Sequence, residues 1–403
     1  MFKKFITIIF ISTGSVSYAQ KAIHVTVSNT GNARELSIIK FPYNVSAKSK
    51  INLNLVDKET KATYPVQVLP NGEAFSIIDI AANKTRVFNL RSGKSRKSAV
   101  DIVSGPTEIQ VFVRGHQVIG FQNGKANLSD GIDSVYRRGG YLHPVFSPSG
   151  LQVTDDYPAD HKHHHGIWAA WNKTLFQGRK PDFWNVGQKT GAVNFTGFDE
   201  IVSGPVLASV VAKNSYVDKT ATPHIQVLEE AFVVRVFNIL GSEKPYYLFD
   251  VELRQQCMTE DPLKILNHIY GGIAFRGNEN WNCKENASFL TSGGKDRETG
   301  NATSANWVRV SGLIGDKVTG VTILSHPDNF RSPQPLRIHP KEPYISFAPS
   351  QAGEFNIEPG KGYIAKYRFI VYDGVADTEF INRMWHEYST PLEVKITQTN
   401  EKE

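Results

Sequence analysis

Four histidines lie within five residues of this chain, in the segment Asp160-His161-Lys162-His163-His164-His165-Gly166. Imidazole readily transfers protons near neutral pH and is the commonest protein ligand for transition metals. The segment is internal and a lysine interrupts it, so it does not have the form of a purification tag. Its composition predicts an acid/base or metal site, with a solvated polar loop as the alternative.

The geometry of this cluster depends on its backbone. Three prolines and a glycine precede it, which indicates a fixed loop of the kind that a preorganised site needs. In an extended conformation His161, His163 and His165 would share one face, with Asp160 and His164 on the other. Asp160 could then orient a neighbouring imidazole by accepting its second N–H.

The cofactor is left open, with a divalent metal at His161 and His163 as one alternative. Two histidines one residue apart are only moderately specific for a metal, which would also need a ligand from elsewhere in the chain. His143, His268 and His326 are the available donors. Without a metal, the same imidazoles would serve as general acid and base.

A second group of reactive side chains follows about a hundred residues later. On a continuous strand, His268, Tyr270 and Arg276 would lie on one face. A proton-accepting side chain beside an arginine suits proton abstraction next to a carbonyl or carboxylate group. Gly271 and Gly272 would allow a ligand or another backbone to approach closely. The alternative is a half-buried strand whose polar groups satisfy one another.

Aromatic residues near the histidines indicate a saccharide ligand. The rings of Trp168 and Trp184 would suit the faces of sugar rings, and Asp182 could bind hydroxyl groups. His326 and Asn329 lie in a later polar segment fixed by prolines and could join the same site. Aromatic side chains are also common in protein cores, so a purely structural role is the alternative.

The N-terminus has the form of a secretory signal, predicted to span residues 1–19. Lys3 and Lys4 precede a short apolar stretch, and Ser17 and Ala19 provide a small-residue cleavage site before Gln20. The sequence therefore predicts a secreted or periplasmic protein. We expect no membrane span, because charged residues interrupt the later apolar segments.

The overall composition is that of a globular protein, with 40% hydrophobic and 21% charged residues. A formal net charge of +6 is too small to indicate nucleic-acid binding. Cys257 and Cys283 are the only cysteines, so at most one disulfide can form, and the sequence leaves it open whether it does.

Alternation of apolar and polar residues predicts an all-β fold. We expect a small β-sandwich domain over residues 20–120 and a large β-sandwich domain over residues 121–403 that carries the histidine-rich site. One helix is predicted near the C-terminus, starting at Asp377 and ended by Pro391.

Several motifs, in order, resemble the bacterial family labelled "methane oxygenase PmoA", with similarity from about His143 to Gly374. They include Asp-His-x-His-His-x-Gly-x-Trp at 160–168, Asp-Phe-Trp at 182–184, Tyr-Gly-Gly with a following arginine at 270–276, and His-Pro-Asp-Asn at 326–329. The resemblance picks out Asp160, His161, His163, His164, Gly166, Trp168, Asp182, Trp184, Arg276, His326 and Asn329. It gives less weight to Lys162 and His165.

The family label implies a copper-dependent oxygenase, but the enzyme whose name it borrows resembles a multi-helix membrane protein, unlike this β-rich chain. Members of the family tend to accompany carbohydrate enzymes, which implies a saccharide or other small-molecule substrate. The strand pattern is compatible with mutarotase-like folds, including the supersandwich.

Together these features predict an exported carbohydrate-active enzyme, a lyase or glycoside hydrolase. His161, His163 and His164 would act as acid/base groups or ligands, with Tyr270 or His268 as a proton-transfer partner. The alternatives are a copper- or iron-dependent oxygenase and a carbohydrate-binding protein without catalysis.

Overall fold

The computed structural model describes residues 21–43, 52–94, 96–240 and 244–400. The predicted signal segment, residues 1–19, lies outside the described residues. Within them the chain is mostly β-strand with one α-helix near the C-terminus, which confirms the predicted fold class.

The strands fall into a first group, from the N-terminus to the middle of the chain: β1 (Lys21–Ser28), β2 (Arg34–Pro42), β3 (Leu53–Asp57), β4 (Thr63–Val68), β5 (Glu73–Ile80), β6 (Thr85–Ser92), β7 (Val100–Ser104), β8 (Glu108–Val113), β9 (His116–Gln122), β10 (Tyr141–Val145), β11 (Ile167–Ala170), β12 (Thr174–Leu175), β13 (Gly191–Val202) and β14 (Leu207–Asp218). The second group continues to the C-terminus: β15 (Ile225–Phe237), β16 (Tyr246–Cys257), β17 (Leu263–Ile265), β18 (Gly272–Arg276), β19 (Ala287–Thr291), β20 (Trp307–Ile314), β21 (Lys317–Ser325), β22 (Leu336–Ile338), β23 (Tyr344–Phe347), β24 (Phe355–Ile357), β25 (Tyr363–Asp373), helix α1 (Thr378–Ser389) and β26 (Glu393–Asn400). Short 3-10 turns cover Ser134–Tyr136, Val186–Gln188, Glu279–Trp281, Lys284–Asn286 and Pro349–Ala352.

The N-terminal strands form one seven-stranded sheet in the order β2-β5-β4-β3-β6-β1-β26. Strand β4 pairs with β3 through residues 63–66 and with β5 through residues 67–68, so the two halves of the sheet meet along it. Both halves contribute to one apolar cluster that includes Val25, Ile39 and Phe88.

A large β-sandwich makes up the rest of the chain. Its front sheet has the order β22-β23-β18-β11-β10-β9-β8-β7, and its back sheet has the order β13-β14-β15-β16-β25-β21-β20-β19. Side chains from both sheets, among them Trp171, Phe249, Phe275 and Phe369, form one buried cluster between them. A small sheet, β12-β17-β24, lies beside the sandwich.

Sheet membership divides the chain differently from the predicted residues 20–120 and 121–403. Strands β7 to β9 hydrogen-bond into the front sheet, so the transition lies between β6 and β7. Strand β26 pairs with β1, from Lys21 with Asn400 to Ser28 with Glu393, and so returns the chain's end to the N-terminal sheet. The sequence did not indicate that β26 pairs with β1, because pairing between strands far apart in the chain leaves no pattern in the local sequence.

Local patterns do account for individual elements. In β16 the charged residues Asp250, Glu252 and Arg254 alternate with buried apolar residues, as strand geometry requires. Helix α1 begins where predicted, because the Asp377 carboxylate accepts a hydrogen bond from the Phe380 backbone N–H at 2.6 Å. Its buried face packs between the N-terminal sheet and the back sheet. No helix in the described ranges is long and apolar enough to cross a membrane.

Three front-sheet strands position the histidine segment. Ile167 opens β11 opposite Phe275, near the end of β18, and Tyr344 opens β23 opposite Arg276. The start of β11, the end of β18 and the start of β23 therefore lie side by side at one end of these three neighbouring strands. Loops that enter or leave these strands come together there.

Candidate functional site

The histidine segment forms a tight loop, in place of the extended alternative in which His161, His163 and His165 would share one face. The His161 N–H donates to the Pro158 carbonyl at 3.1 Å, and the His164 N–H donates to the His161 carbonyl at 2.8 Å. These turns gather three rings: the His161 and His164 centroids are 4.6 Å apart, and His163 lies 4.7 Å from His164 and 5.6 Å from His161. His161, His163 and His164 are therefore the group that can act together.

His165 points away from the other three histidines and is fully buried. Its Nδ1 lies 2.7 Å from a carboxylate oxygen of Asp156, and its ring stacks on Tyr141 at 4.3 Å. Burial and the nearby Arg138 charge hold its pKa well below the usual value. His165 therefore anchors the loop through Asp156 and Tyr141.

The connection between β22 and β23 completes the site with two residues that the sequence analysis missed. The Glu342 Oε2 lies 3.3 Å from the His161 Nδ1, and the His339 ring lies 6.1 Å from the His161 ring. Tyr344 stacks on His164 at 4.8 Å. The signal for these residues was present, since His339 and Glu342 each precede a proline, as does His143 in the segment identified as a fixed loop.

Arg276 ends β18 with its guanidinium fully buried beneath the site. Its Nη1 donates to Glu342 Oε2 at 2.7 Å, and its Nη2 donates to Asp160 Oδ1 and to Asn282 Oδ1, each at 3.2 Å. His161 and Arg276 thus contact the same Glu342 oxygen and belong to one site. An Asp160 carboxylate oxygen also lies 3.4 Å from the His161 Nδ1, within ion-pair distance but without a hydrogen bond.

The two carboxyl groups beside Arg276 differ in acidity. Burial alone would raise the pKa of Asp160, but a hydrogen bond from Glu342 and the Arg276 charge lower it to about 2. Burial and the same hydrogen bond raise the pKa of Glu342. Asp160 is therefore the more firmly ionised of the pair.

Burial keeps three imidazoles of the site neutral at pH 7. It lowers the pKa of His163 to about 4, with a further contribution from His161, and lowers that of His164 well below the usual value. The pKa of His339 is also about 4, because of burial and the Arg337 charge. Neutral imidazole is the form that accepts a proton or binds a metal.

Three donors in this cluster fit a divalent cation. One ligand atom each from His161, His164 and Glu342 lies within 4.8 Å of the others. The Nδ1 atoms of His161 and His164 are buried without a hydrogen-bond partner in the described residues, although His161 Nδ1 is within ion-pair distance of Asp160 and Glu342. Metal–ligand distances of about 2.0–2.2 Å would require the donors to move closer together. His163, paired with His161 in the sequence prediction, is outside this set.

His268 and Tyr270 lie at the opposite end of β18 from Arg276, so the predicted common strand face is wrong. The strand begins only at Gly272, and both residues lie in the loop before it. Strands rise about 3.3 Å per residue, which places the two ends of β18 more than 10 Å apart. The Tyr270 hydroxyl lies 3.5 Å from the side-chain nitrogens of Asn172 and Asn185.

Gly272 allows the backbone of β23 to approach closely, as predicted from the pair Gly271 and Gly272. Its φ is +101°, and a Cβ there would lie 2.7 Å from the Phe347 carbonyl oxygen.

Gly272→Ala is therefore expected to lower the free energy of unfolding by about 3 kcal/mol, from backbone strain plus the clash. Gly115→Ala, at φ +87° with open space, should lose only about 1–2 kcal/mol. Urea denaturation of both variants tests this, and equal losses would contradict the close-approach role.

The tryptophans near the histidines are core residues and offer no open ring face. Trp168 is 0% exposed and Trp184 is 2% exposed, so the predicted sugar platform is not formed by them. Their rings pack 5.2 Å apart on the outer face of the front sheet, with Tyr344 and Tyr270 at either end. These large aromatic side chains bury much apolar area and so shield the outer face of the front sheet from water.

Three further predicted binding residues have structural roles. Asp182 accepts hydrogen bonds from the backbone N–H groups of Trp184 and Asn185, both at 2.8 Å, and so fixes that loop. Asn329 bonds to both backbone groups of Lys366, at 2.7 and 2.8 Å. His326 packs against Tyr388 of α1 at 4.9 Å and not against the histidine loop.

A cleft of about 780 Å³ leads to the site. Its lining includes Asp160 and Glu342 together with Asn282, Glu279 and Lys341. Cavities of about 300–1,000 Å³ are typical of small-molecule sites. A small ligand in this cleft would therefore meet the two carboxyl groups that border the histidines.

The two cysteines are not bonded to each other. Cys283 is exposed at the cleft, whereas Cys257 is half-buried and its thiol lies 3.0 Å from the Ile357 carbonyl oxygen. The structure therefore settles the open disulfide question in favour of two free thiols.

One family model, described as "Family of unknown function (DUF6807)", matches residues 108–386. The match covers more than half of the chain and includes every residue of the histidine site. No curated protein is significantly similar to the chain.

Proposed function

Because the chain belongs to DUF6807, a family of unknown function, we propose its function from the site: a carbohydrate lyase or glycoside hydrolase that uses a divalent cation and general acid/base chemistry. One observation carries the proposal. His161, His164 and Glu342 each bring one ligand atom within 4.8 Å of the others. The Nδ1 atoms of both histidines are buried without a hydrogen-bond partner in the described part of the chain, and Glu342 lines a cleft large enough for a small molecule.

His161, His164 and Glu342 would hold the cation. A bound divalent cation would polarise a substrate oxygen and stabilise the negative charge that develops on it. Arg276 fixes the position of the Glu342 carboxylate through its 2.7 Å hydrogen bond and counters the charge of the adjacent Asp160. Two histidines with one glutamate form a donor set found in catalytic zinc sites.

We assign the proton-transfer role to His163. It is half-buried, its ring lies 4.7 Å from that of His164, and it is not needed as a ligand. A neutral imidazole in that position can take a proton from a substrate carbon or hydroxyl group next to the cation. Asp160, whose pKa the hydrogen bond with Glu342 and the Arg276 charge hold low, would bind a substrate hydroxyl group at the mouth of the cleft.

The saccharide part of the proposal is supported by the family resemblance and by the polar lining of the cleft, not by the buried tryptophans. Polar side chains such as Asn282, Glu279 and Lys341 offer both donors and acceptors to hydroxyl groups. Export is supported by the signal-like N-terminal sequence.

The same donor set favours a second candidate, a non-haem iron oxygenase. Two histidines and one carboxylate with open positions are typical of iron(II) enzymes that activate dioxygen. The two candidates differ in their co-reactant, since the oxygenase consumes dioxygen and the lyase or hydrolase does not.

Turnover assays on untagged protein test the proposal. We expect unsaturated, ultraviolet-absorbing products or new reducing ends from uronate-containing or neutral oligosaccharides, lost on chelation and restored by one divalent metal. His163→Ala should abolish turnover, whereas His386→Ala, an exposed histidine on α1, should not. Dioxygen uptake coupled to substrate would favour the oxygenase. Saccharide binding without turnover would contradict both and indicate a binding protein.

A further inference from the structure

Glu342 lies in a four-residue loop, residues 340–343, within the connection between β22 and β23. The His339 N–H donates to the Tyr344 carbonyl at 3.0 Å and so closes the loop. Prolines occupy its first and last positions and have no N–H group, so only the two central residues carry backbone donors. The partners of these two donors therefore have a large influence on the conformation of the loop.

A single ring nitrogen accepts both donors. The His339 Nδ1 accepts the Lys341 N–H at 3.3 Å and the Glu342 N–H at 3.1 Å. A side chain that bonds the backbone two and three residues later fixes a turn, as Asn and Asp side chains commonly do. An Nδ1 that accepts hydrogen bonds carries no proton, so the neutral ring has its proton on Nε2.

The peptide group that leads into Glu342 is held at both of its ends. Its N–H donates to His339, and its oxygen, the Lys341 carbonyl, accepts a hydrogen bond from the Arg297 Nη1 at 2.9 Å. The Gly277 N–H donates to the Pro343 carbonyl at 2.8 Å and ties the end of the loop to the residue after β18. The backbone at Glu342 is therefore fixed before its side chain makes any contact.

The Glu342 side chain is held separately. Its Oε2 accepts a hydrogen bond from the Arg276 Nη1 at 2.7 Å and lies 3.3 Å from the His161 Nδ1. A metal ligand has to be held within about 0.5 Å of its productive position. A loop that could shift by more than this would carry the carboxylate away from the two histidines, even with Arg276 in place.

We propose that His339 is a positioning residue for the cation site, which fixes the loop so that the Glu342 carboxylate faces His161 and His164. His339 itself lies outside the donor set. The inference rests on the proposed function, because it concerns the cation that this function requires. Groups that orient a metal ligand typically contribute about 10- to 100-fold to metal affinity.

Zinc titration of the chelator-treated full chain tests this role. His339→Ala should weaken zinc binding by about 10- to 100-fold, because the loop loses its acceptor. His339→Asn should bind zinc within about 3-fold of the native chain, since its Oδ1 can accept the same two N–H groups. A ring that acted as a ligand or as a proton donor would not be replaced by this amide.

His326→Ala is the matched control. The His326 Nδ1 accepts the Asp328 N–H at 3.2 Å, which is the same kind of local bond, and its ring packs against Tyr388 of α1. Its loss should change zinc affinity by less than about 2-fold, because no cation donor depends on that turn. If His339→Ala fails to fold, His339→Leu keeps more of the ring's volume without an acceptor, and the same loss of zinc affinity is expected.

Native zinc affinity in a folded His339→Ala or His339→Leu chain would overturn the positioning role. So would His339→Asn binding zinc as weakly as those variants, because the ring would then act by something other than its Nδ1 acceptor. Both outcomes would leave the cation site and the proposed function standing. A native chain that binds no zinc would defeat the cation site itself, and the role of His339 with it.

Discussion

Replacing Glu342 with glutamine is expected to weaken divalent-cation binding by about 100-fold or more. Residues that only support a metal ligand typically contribute 10- to 100-fold, so loss of a charged ligand should reach at least the upper end of that range. The amide oxygen can still accept the hydrogen bond from Arg276, which lies 2.7 Å away in the native protein. The fold should therefore survive while affinity falls, as measured by zinc titration of chelator-treated protein.

Glu285→Gln is the matched control for this variant. Glu285 lines the same cleft but is exposed and lies outside the donor set. Its replacement should change zinc affinity by less than about 2-fold, since exposed charges contribute little. Equal losses in the two variants would show that the cleft attracts cations only through its general acidity.

Replacing Arg276 with methionine is expected to lower the free energy of unfolding by about 3–5 kcal/mol. Methionine fills much of the same volume but leaves Asp160 and Glu342 facing each other without their shared cation. Arg276 is 0% exposed, so water cannot replace the hydrogen bonds that its guanidinium makes, although the 42% exposed Asp160 side chain stays partly solvated. Urea denaturation followed by tryptophan fluorescence measures the change.

Arg254→Met provides the comparison for Arg276→Met. The Arg254 side chain is 44% exposed and pairs with Glu252 on the surface of β16, so its loss should cost less than about 1 kcal/mol. If Arg276→Met were no more destabilising than Arg254→Met, the buried charge pairs would not stabilise the site as described. Restoration of much of the stability by Asp160→Asn in the same chain would identify carboxylate repulsion as the cause.

Local sequence patterns were sufficient to predict strand β16 and the start of helix α1. The alternation in β16 and the acidic start of α1 are both confirmed. The reliance on His161, His163 and His164 over His165 came from a family resemblance, and the structure shows the same grouping. These features depend on residues that are neighbours in the chain, where spacing alone constrains geometry.

Contacts between distant segments could not be predicted in this way. His339 and Glu342 lie more than 170 residues after the histidine loop and join it only because β23 pairs with β18. The alternation of polar and apolar residues also continued through residues 266–271 and predicted a strand there. The positive φ values of Gly271 and Gly272 interrupt the extended backbone before β18 begins. Trp168 is buried because side chains from distant segments, such as Trp184 and Tyr344, cover the outer face of the front sheet. The sequence of β11 alone does not show that this face is covered.

X-ray absorption spectroscopy of the untagged chain loaded with one equivalent of zinc tests the central claim most directly. We expect one tightly bound zinc per chain, with a nitrogen and oxygen shell at about 2.0–2.1 Å and the outer-shell scattering of two imidazoles. His164→Ala should remove one imidazole contribution, and His386→Ala should remove none. Binding of no zinc, or a zinc shell without imidazole scattering, would contradict the assignment of His161, His164 and Glu342 as a metal site.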